Sequence, residues 1–475
     1  MRIERHPILT FRRGRRVKFF FNGQEVEARE GETIAMALYA AGIRDLSKSQ
    51  KFHRPRGLFC AIGKCSSCLL TVDGIPNVRT CIIPVKEGMR VEASEGNPRL
   101  ADNVPPPKKF MEPETHRTDL LVIGGGPAGL QAAIHAADMG ARVTVLDEAP
   151  MLGGQLVKQT HKFFGKRQLH AGVRGIKIAE MLIEEVRRRG IEIFSRTSAV
   201  GLFPSGEEKV VDAVEAERYL HRFTARAVLV ATGAMERYLP FPGADLPGVY
   251  GAGAVQTLMN TYGILPGERV LIVGAGNVGL ILAYQLMQAG VKVPAVVEAL
   301  PRVGGYFVHA AKIRRQGVPI LTRHTIVRAA GSGRVEQATV AELDERWSVI
   351  EGTEKTYDVD VVALSVGLRP SVELLQQAGC SMRFVRELAG LVPLRDRNMQ
   401  TTVEGIYVAG DASGIEEATT AMLEGTIAGI SAGFYLGHGD EKWQERLERA
   451  RAELEEFRDG PIGREVKKGI ERVLI

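Results

Sequence analysis

Four of the chain's five cysteines crowd into one stretch. Cys60, Cys65, Cys68 and Cys81 read C-x4-C-x2-C-x12-C, and Cys380 stands far from them. Four thiolates on two irons make a [2Fe–2S] cluster, and a C-x4-C-x2-C run with a more distant fourth cysteine is its characteristic spacing. The loop from Cys60 to Cys65 must turn backbone amides toward sulfur, where they stabilise the reduced state, and Gly63 permits that close approach. A four-cysteine zinc site is the competing chemistry, but it favours paired C-x2-C units and only one is present. Structural disulfides are disfavoured for cysteines this close in an intracellular chain. Cys380 has no nearby partner and is expected to be an inert, half-buried thiol.

A second chemistry is carried by glycine. Gly124, Gly125, Gly126, Pro127, Ala128 and Gly129 follow the apolar run Leu120–Ile123 and open an Ala-rich helix. In such a strand–turn–helix the glycines admit a pyrophosphate, the helix N-terminus attracts its charge, and an acid about 20 residues on binds a ribose hydroxyl. Asp147 and Glu148, at the end of Val143–Leu146, supply that acid. Gly154 and Gln155 follow in the next loop. A second fingerprint comprises Gly274, Gly276 and Gly279 after Val270–Val273, with Glu298 ending Ala295–Val297. Glu at that position leans toward NAD over NADP, although Arg302 is close in sequence; a fold that binds nothing is the bland alternative. Gly233, in Ala231-Thr232-Gly233, and Gly410-Asp411 end two further apolar runs, where a carboxylate can meet the ribityl chain of a flavin.

These residues need particular elements behind them. Val17–Phe21 and Glu25–Ala28 flank Asn22-Gly23, a hairpin turn pair. A helix is expected over Thr33–Ala41, with strands at Leu69–Val72 and Met89–Glu92. From Asn97 to Arg117 the chain turns Pro-rich and charged, as linkers do. A charged amphipathic helix, Asp440–Arg458, is expected to cover a flank. The two strand–turn–helix units are the visible internal repeat.

Composition is that of a globular protein, with 45% hydrophobic and 25% charged residues. At 475 residues it implies two to four domains. The net charge of +6 is mild because 56 acidic residues are interspersed with the basic ones, so no nucleic-acid partner is expected. The basic cluster Arg12, Arg13, Arg15, Arg16 and Lys18 reads as a solvated edge, with docking of an acidic partner as the alternative. No run reaches the roughly 18 apolar residues a spanning helix needs, and no secretory signal is visible, so the expectation is a cytoplasmic protein. No acid–base pair is tied to a motif, which leaves catalytic residues unassigned. His161 and His170 follow Gly154-Gln155 and read as surface or structural histidines.

Residues 118 to 436 resemble the two-dinucleotide flavoprotein superfamily of thioredoxin reductase, through Gly124–Gly129, Gly153-Gly154-Gln155-Leu156, Ala231-Thr232-Gly233, Gly274–Gly279, Gly367-Leu368-Arg369-Pro370 and Ala409-Gly410-Asp411. Residues 12 to 95 resemble the ferredoxin-like module of succinate dehydrogenase iron–sulfur subunits and heterotetrameric sarcosine oxidase alpha chains. The whole is similar to a fusion of the small iron–sulfur and alpha subunits of dye-linked proline dehydrogenase, opine oxidase and hydrogen cyanide synthase. The resemblance implies an α/β, Rossmann-like two-dinucleotide flavoprotein with an N-terminal α+β ferredoxin-like (β-grasp) domain. Its expected divisions are a ferredoxin-like domain at 12–95, a linker at 96–117, an FAD-type domain at 118–246 and 366–436, an inserted NAD-type domain at 247–365, and a helical segment at 437–475. It implies a [2Fe–2S] cluster and FAD, leaves NAD or ATP open for a dinucleotide site, and allows an FMN at a subunit interface. It implies the electron-transfer subunit of a hetero-oligomeric amine or amino-acid dehydrogenase, with a D-amino-acid-oxidase-like flavoprotein partner and a protein, quinone or dye acceptor. The alternatives are a self-sufficient NAD(P)H-dependent reductase and a non-catalytic nucleotide-binding scaffold. Thioredoxin reductases carry a redox Cys-x-x-Cys; none follows Cys81 here, which argues against disulfide reduction.

Overall fold

The computed structural model describes residues 1–95, 111–164, 167–460 and 463–475. The proline run Pro105–Pro107, on which much of the linker reading depends, lies outside the described residues. The chain divides into two compact units. One joins the N-terminal part to Glu236–Gly367; the other joins the stretch ending at Met235 to Leu368–Ile475.

In the first unit the N-terminal module is a five-stranded sheet in the order 24–29, 16–21, 90–92, 69–72, 75–79. Its hairpin turns at Asn22 and Gly23, both at positive φ, as a two-residue turn requires. The helix Ile34–Ala40 is buried at every position, so its sequence is apolar all round rather than amphipathic. The same unit holds a five-stranded parallel sheet in the order 249–251, 361–364, 270–273, 296–298, 320–322. One hydrophobic core runs through both: Phe19, Met36 and Tyr39 from the module cluster with Tyr250, Val255 and Leu282.

The second unit is built on a seven-stranded sheet. Its parallel part sets Glu114–Ile123 between Val143–Asp147 and Tyr219–Val230, and Ile406–Val408 pairs with the latter. The strand thus starts at Glu114, inside the stretch expected to be linker. Nine register pairs with Tyr219–Val230, from His221↔Glu114 to Val230↔Ile123, explain the extension: ladder bonds hold residues 114–117 although they lack the apolar run of Leu120–Ile123.

The helix Pro127–Asp138 packs on Ala418–Tyr435. A Cβ at Gly425 or Gly429 would overlap the carbonyl oxygen of Ala128 or Ala132, so this four-residue glycine spacing lets the two backbones meet. The helix expected from Asp440 runs over Glu441–Arg458, with the Asp440 side chain accepting from Trp443 N–H at 3.1 Å as its N-cap. A further helix, Gly463–Glu471, follows it. No described helix is long and apolar enough to cross a membrane.

Candidate functional site

The four clustered cysteines converge. Cys60, Cys68 and Cys81 are buried and Cys65 is half-buried. Ala61 and Gly63 both take positive φ, which coils the loop so that Gly63 N–H donates to Cys81 Sγ at 3.2 Å. Thr80 Oγ1 donates to the Cys68 carbonyl at 2.6 Å and Arg79 to that of Gly63 at 3.2 Å, bracing both arms. Hydrogen bonds from Cys65 and Cys81 draw the Cys60 thiol down, and one from Cys81 draws Cys68 down. As donors, Cys65 and Cys81 are pushed up in turn, first by those bonds and then by burial. Four thiols linked by hydrogen bonds in this way, with an amide already aimed at one, fit a metal centre held by thiolates. Cys380 is buried, more deeply than expected, and its thiol donates to Thr401 Oγ1 at 3.3 Å.

The cysteine loop also touches its neighbour in the first unit. Gly251 N–H donates to the Phe59 carbonyl at 3.0 Å, and the Phe59 ring meets Tyr238 edge-on at 5.5 Å. Gly251 ends a strand level with Leu364, which is level with Val273, the residue before Gly274. The first cluster cysteine therefore sits at the carboxyl edge of the inserted sheet, two strands from its glycine turn. Sequence reasoning did not anticipate this contact; Phe59 reads simply as an apolar residue.

At the first glycine turn, Gly124 has φ +112° and a Cβ there would overlap the Ala231 carbonyl. A Cβ at Gly129 would overlap the Gly124 carbonyl. Gly126 is different: a Cβ there would meet nothing nearer than Gly154 Cα, 3.8 Å away, so its lack of side chain leaves space at the mouth of the helix. Gly126 N-caps that helix with Pro127 at its first position, an arrangement suited to an anion. Asp147 Oδ2 accepts from Gly125 N–H and Oδ1 from Ala149 N–H, both at 2.7 Å. A carboxylate so placed can also accept from a ribose hydroxyl, since each of its oxygens takes more than one hydrogen bond. Glu148 lies beside it, half-buried. Gly153 N–H donates to the Gly125 carbonyl at 2.8 Å, bringing Gly154 over Gly126, while Gln155 next to it is exposed.

The second turn repeats these bonds. Glu298 Oε2 accepts from Ala275 N–H at 2.7 Å and Oε1 from Leu300 N–H at 2.9 Å. Gly305 N–H donates to the Ala275 carbonyl at 3.0 Å. A Cβ at Gly274 would overlap the Ser365 carbonyl and one at Gly279 the Gly274 carbonyl, whereas Gly276 faces open space. Both turns are thus cradles whose middle glycine would be filled by a side chain.

Gly410-Asp411 comes to the first cradle: a Cβ at Gly410 would lie 3.0 Å from that of Ala128. Gly410 N–H and Ser413 Oγ donate to Glu424 Oε2 at 2.9 and 2.6 Å. Arg458, from the helix Glu441–Arg458, donates to Glu424 Oε1 at 2.6 Å and to Glu416 Oε1 at 2.5 Å. Burial, opposed by the Glu416 N–H and aided by the charges of Glu424 and Glu416, pushes the Asp411 carboxyl up to about 7. Glu424 and Arg458 were missed from sequence; the signal available was Glu424, an acid inside an otherwise apolar helix. Gly233 lies at φ +67°, its carbonyl accepting from Ser371 N–H at 3.0 Å. His161 stacks on Phe163 at 5.4 Å, and burial lowers His170. The basic edge is largely paired, Arg15 with Glu30 at 3.1 Å and Lys18 with Glu25 at 2.8 Å.

Two sheets with strand–glycine–helix turns and a four-cysteine module together define an oxidoreductase of the iron–sulfur flavoprotein class. Residues 118–425 match the pyridine nucleotide-disulphide oxidoreductase family and residues 14–96 the 2Fe-2S iron-sulfur cluster binding domain. The chain belongs to the pyridine nucleotide-disulphide oxidoreductase family and carries a 2Fe–2S domain ahead of it. It is 29% identical over 472 residues to the alpha subunit of sarcosine oxidase from Rhizobium meliloti (strain 1021), covering 86% of this chain and 45% of that one. It is 34% identical over 329 residues to an opine oxidase subunit from Agrobacterium tumefaciens (strain Ach5), covering 66% and 65%. The crystal structure of L-proline dehydrogenase from P. horikoshii superposes with a TM-score of 0.70 at 27% identity, covering 94% of this chain and 79% of that one. The chain thus spans less than half the length of the first of these relatives and about two thirds of the second.

Proposed function

We propose that the chain is the electron-transferring, alpha-type subunit of a heteromeric amine or amino-acid dehydrogenase or oxidase. The observation that carries this reading is the convergence of Cys60, Cys65, Cys68 and Cys81 in a chain that also holds two nucleotide cradles. The substrate class we propose is proline, hydroxyproline, sarcosine, opine or glycine. Similarity to subunits of sarcosine and opine oxidases and to an L-proline dehydrogenase supports its sarcosine, opine and proline members. The four cysteines would hold the [2Fe–2S] cluster, with Gly63 N–H directed at the Cys81 sulfur. Gly124, Gly126, Gly129 and Asp147 would hold the diphosphate and a ribose of FAD, with Pro127, Ala128, Glu148, Gly154, Gln155 and Gly233 around it. Gly274, Gly276, Gly279 and Glu298 would hold a second nucleotide, NAD by the acid at its ribose position. Asp411 holds its proton up to about pH 7, so it can donate to a ribityl hydroxyl as well as accept from one. When bound, flavin accepts electron pairs and releases them singly, and the cluster carries one at a time. A D-amino-acid-oxidase-like flavoprotein would be the partner that oxidises the amine.

A second reading is favoured by the Phe59–Gly251 contact, which places the cysteine loop at the carboxyl edge of the inserted sheet. In it the chain alone is an NAD(P)H-dependent reductase. Mixing the anaerobic purified chain with NADH separates the two. No flavin bleaching, with reduction when partner and amine are supplied, is expected on the subunit reading; rapid bleaching by NADH alone overturns it. Preparations lacking both iron with acid-labile sulfide and extractable flavin would overturn both.

A further inference from the structure

In the second unit, at the end of the strand Glu114–Ile123 opposite the Gly124 turn, two histidines and a carboxylate come together. Glu114 and His116 lie two residues apart on one strand, so they share a face. His221 lies opposite Glu114 on the neighbouring strand, in register. His116 Nε2 and His221 Nδ1 are 3.1 Å apart. Glu114 Oε1 lies 3.9 Å from the first nitrogen and Glu114 Oε2 3.8 Å from the second. One ligand atom from each residue lies within 4.8 Å of the other two, close enough for a single ion to reach all three once the exposed Glu114 side chain adjusts.

The surroundings suit an ion. Behind His221, Glu215 Oε2 lies 3.3 Å from Nε2. This partner fixes the proton on Nε2 and leaves the Nδ1 lone pair facing His116 Nε2 and Glu114, the usual carboxylate support of a metal-bound imidazole. Phe223 stacks on His116 at 4.6 Å and Phe194 meets it edge-on at 4.9 Å, walling the rings. Glu114 is exposed, so the carboxylate side of the group is open to water and to an entering ion. A histidine–histidine hydrogen bond, with Glu215 holding the tautomer, would explain the 3.1 Å separation but gives no role to Glu114.

We propose that Glu114, His116 and His221 form a binding site for one divalent transition-metal ion of the zinc class. The ion would clamp the opening strand of the second unit to Tyr219–Val230. Two histidines and a carboxylate are a ligand set zinc accepts with water in the fourth place.

The test uses the full chain with its cluster intact, freed of loose metal and then titrated with zinc chloride. One zinc per chain is expected beyond the cluster iron. Its X-ray absorption edge should show nitrogen and oxygen neighbours near about 2.0 Å and no sulfur at about 2.3 Å. His116→Gln should abolish this equivalent, and Glu215→Gln should weaken it about 10- to 100-fold, both with unchanged iron content and circular dichroism. Absence of bound zinc in the unmodified chain, sulfur neighbours at the edge, or undiminished binding by His116→Gln would each overturn the proposal. The absorption measurement needs no variant, so a misfolded one leaves the test standing.

Discussion

At the scale of single residues, the glycines and cysteines divide into those the fold needs and those a ligand would need. A Cβ at Gly129 would overlap the Gly124 carbonyl, whereas a Cβ at Gly126 would meet only open space and the distant Gly154. Gly126→Val should therefore fold while losing its bound nucleotide, seen as a protein with normal circular dichroism and no extractable flavin; full occupancy would refute the first cradle. Cys65→Ser should abolish the electron paramagnetic signal of the reduced cluster and leave flavin absorbance largely intact, since neither glycine turn contains a cysteine. An unchanged signal would refute the ligand set. Asp411 supplies a pH dependence. Its carboxyl titrates near 7 in the folded chain, against about 3.9 when unfolded. Between those values the native state holds the extra proton. Its contribution is therefore complete below about pH 4 and disappears as pH rises through about 7. In flavin-free protein, Asp411→Asn should flatten that decline, measured as the shift in urea midpoint between about pH 5 and pH 8. An undiminished shift would assign it to other groups.

At the scale of elements, the helix Glu441–Arg458 does more than cover a flank. Leu447, Ala450 and Leu454 join the core of the second unit, as an amphipathic helix should. Its last residue, Arg458, inserts between Glu416 and Glu424, and all three are nearly inaccessible to solvent. Removing Arg458 leaves Glu416 without this cation and Glu424 with the more distant Arg395, at 3.7 Å. Losing one member of a buried ionic group costs about 3–5 kcal/mol. Arg458→Met should destabilise the second unit by about that much and loosen the Gly410–Asp411 turn, detected by denaturant titration and by faster loss of flavin. A change below about 1 kcal/mol would mean that the carboxylates find other partners. From sequence this role was invisible, because an arginine in the last turn of a charged helix looks like a solvated dipole partner. The glycine spacing of Gly425, Gly429 and Gly433 was open to inspection, but which helix it would meet was not. By contrast, Asn22-Gly23 and the two glycine fingerprints name their own local geometry, and those turns could be read directly.

At the scale of the whole molecule, the N-terminal module and the inserted sheet share one core. Tyr39 and Tyr250 meet edge-on at 6.0 Å, and both are fully buried. Arg54 and Arg56 pair with Asp245, at 3.5 and 3.8 Å, and Arg44 with Asp360 at 3.7 Å. A chain beginning at residue 111 should therefore expose Tyr250 and its neighbours. Binding of an apolar dye to the truncated protein, absent from the full chain, is expected; a truncated protein as compact and dye-free as the parent would show that the inserted sheet closes its own core. Cysteine spacing, the strand–glycine–helix order and the acid following each second strand could be settled from the chain alone, because each is a local rule with a short reach along the backbone. Folding in three dimensions decided the rest. It set Phe59 against Gly251, Arg458 between two acids and Gly410 beside Ala128. Such pairings join residues far apart in the chain, and shape and charge complementarity between finished surfaces selects them, which no local pattern encodes.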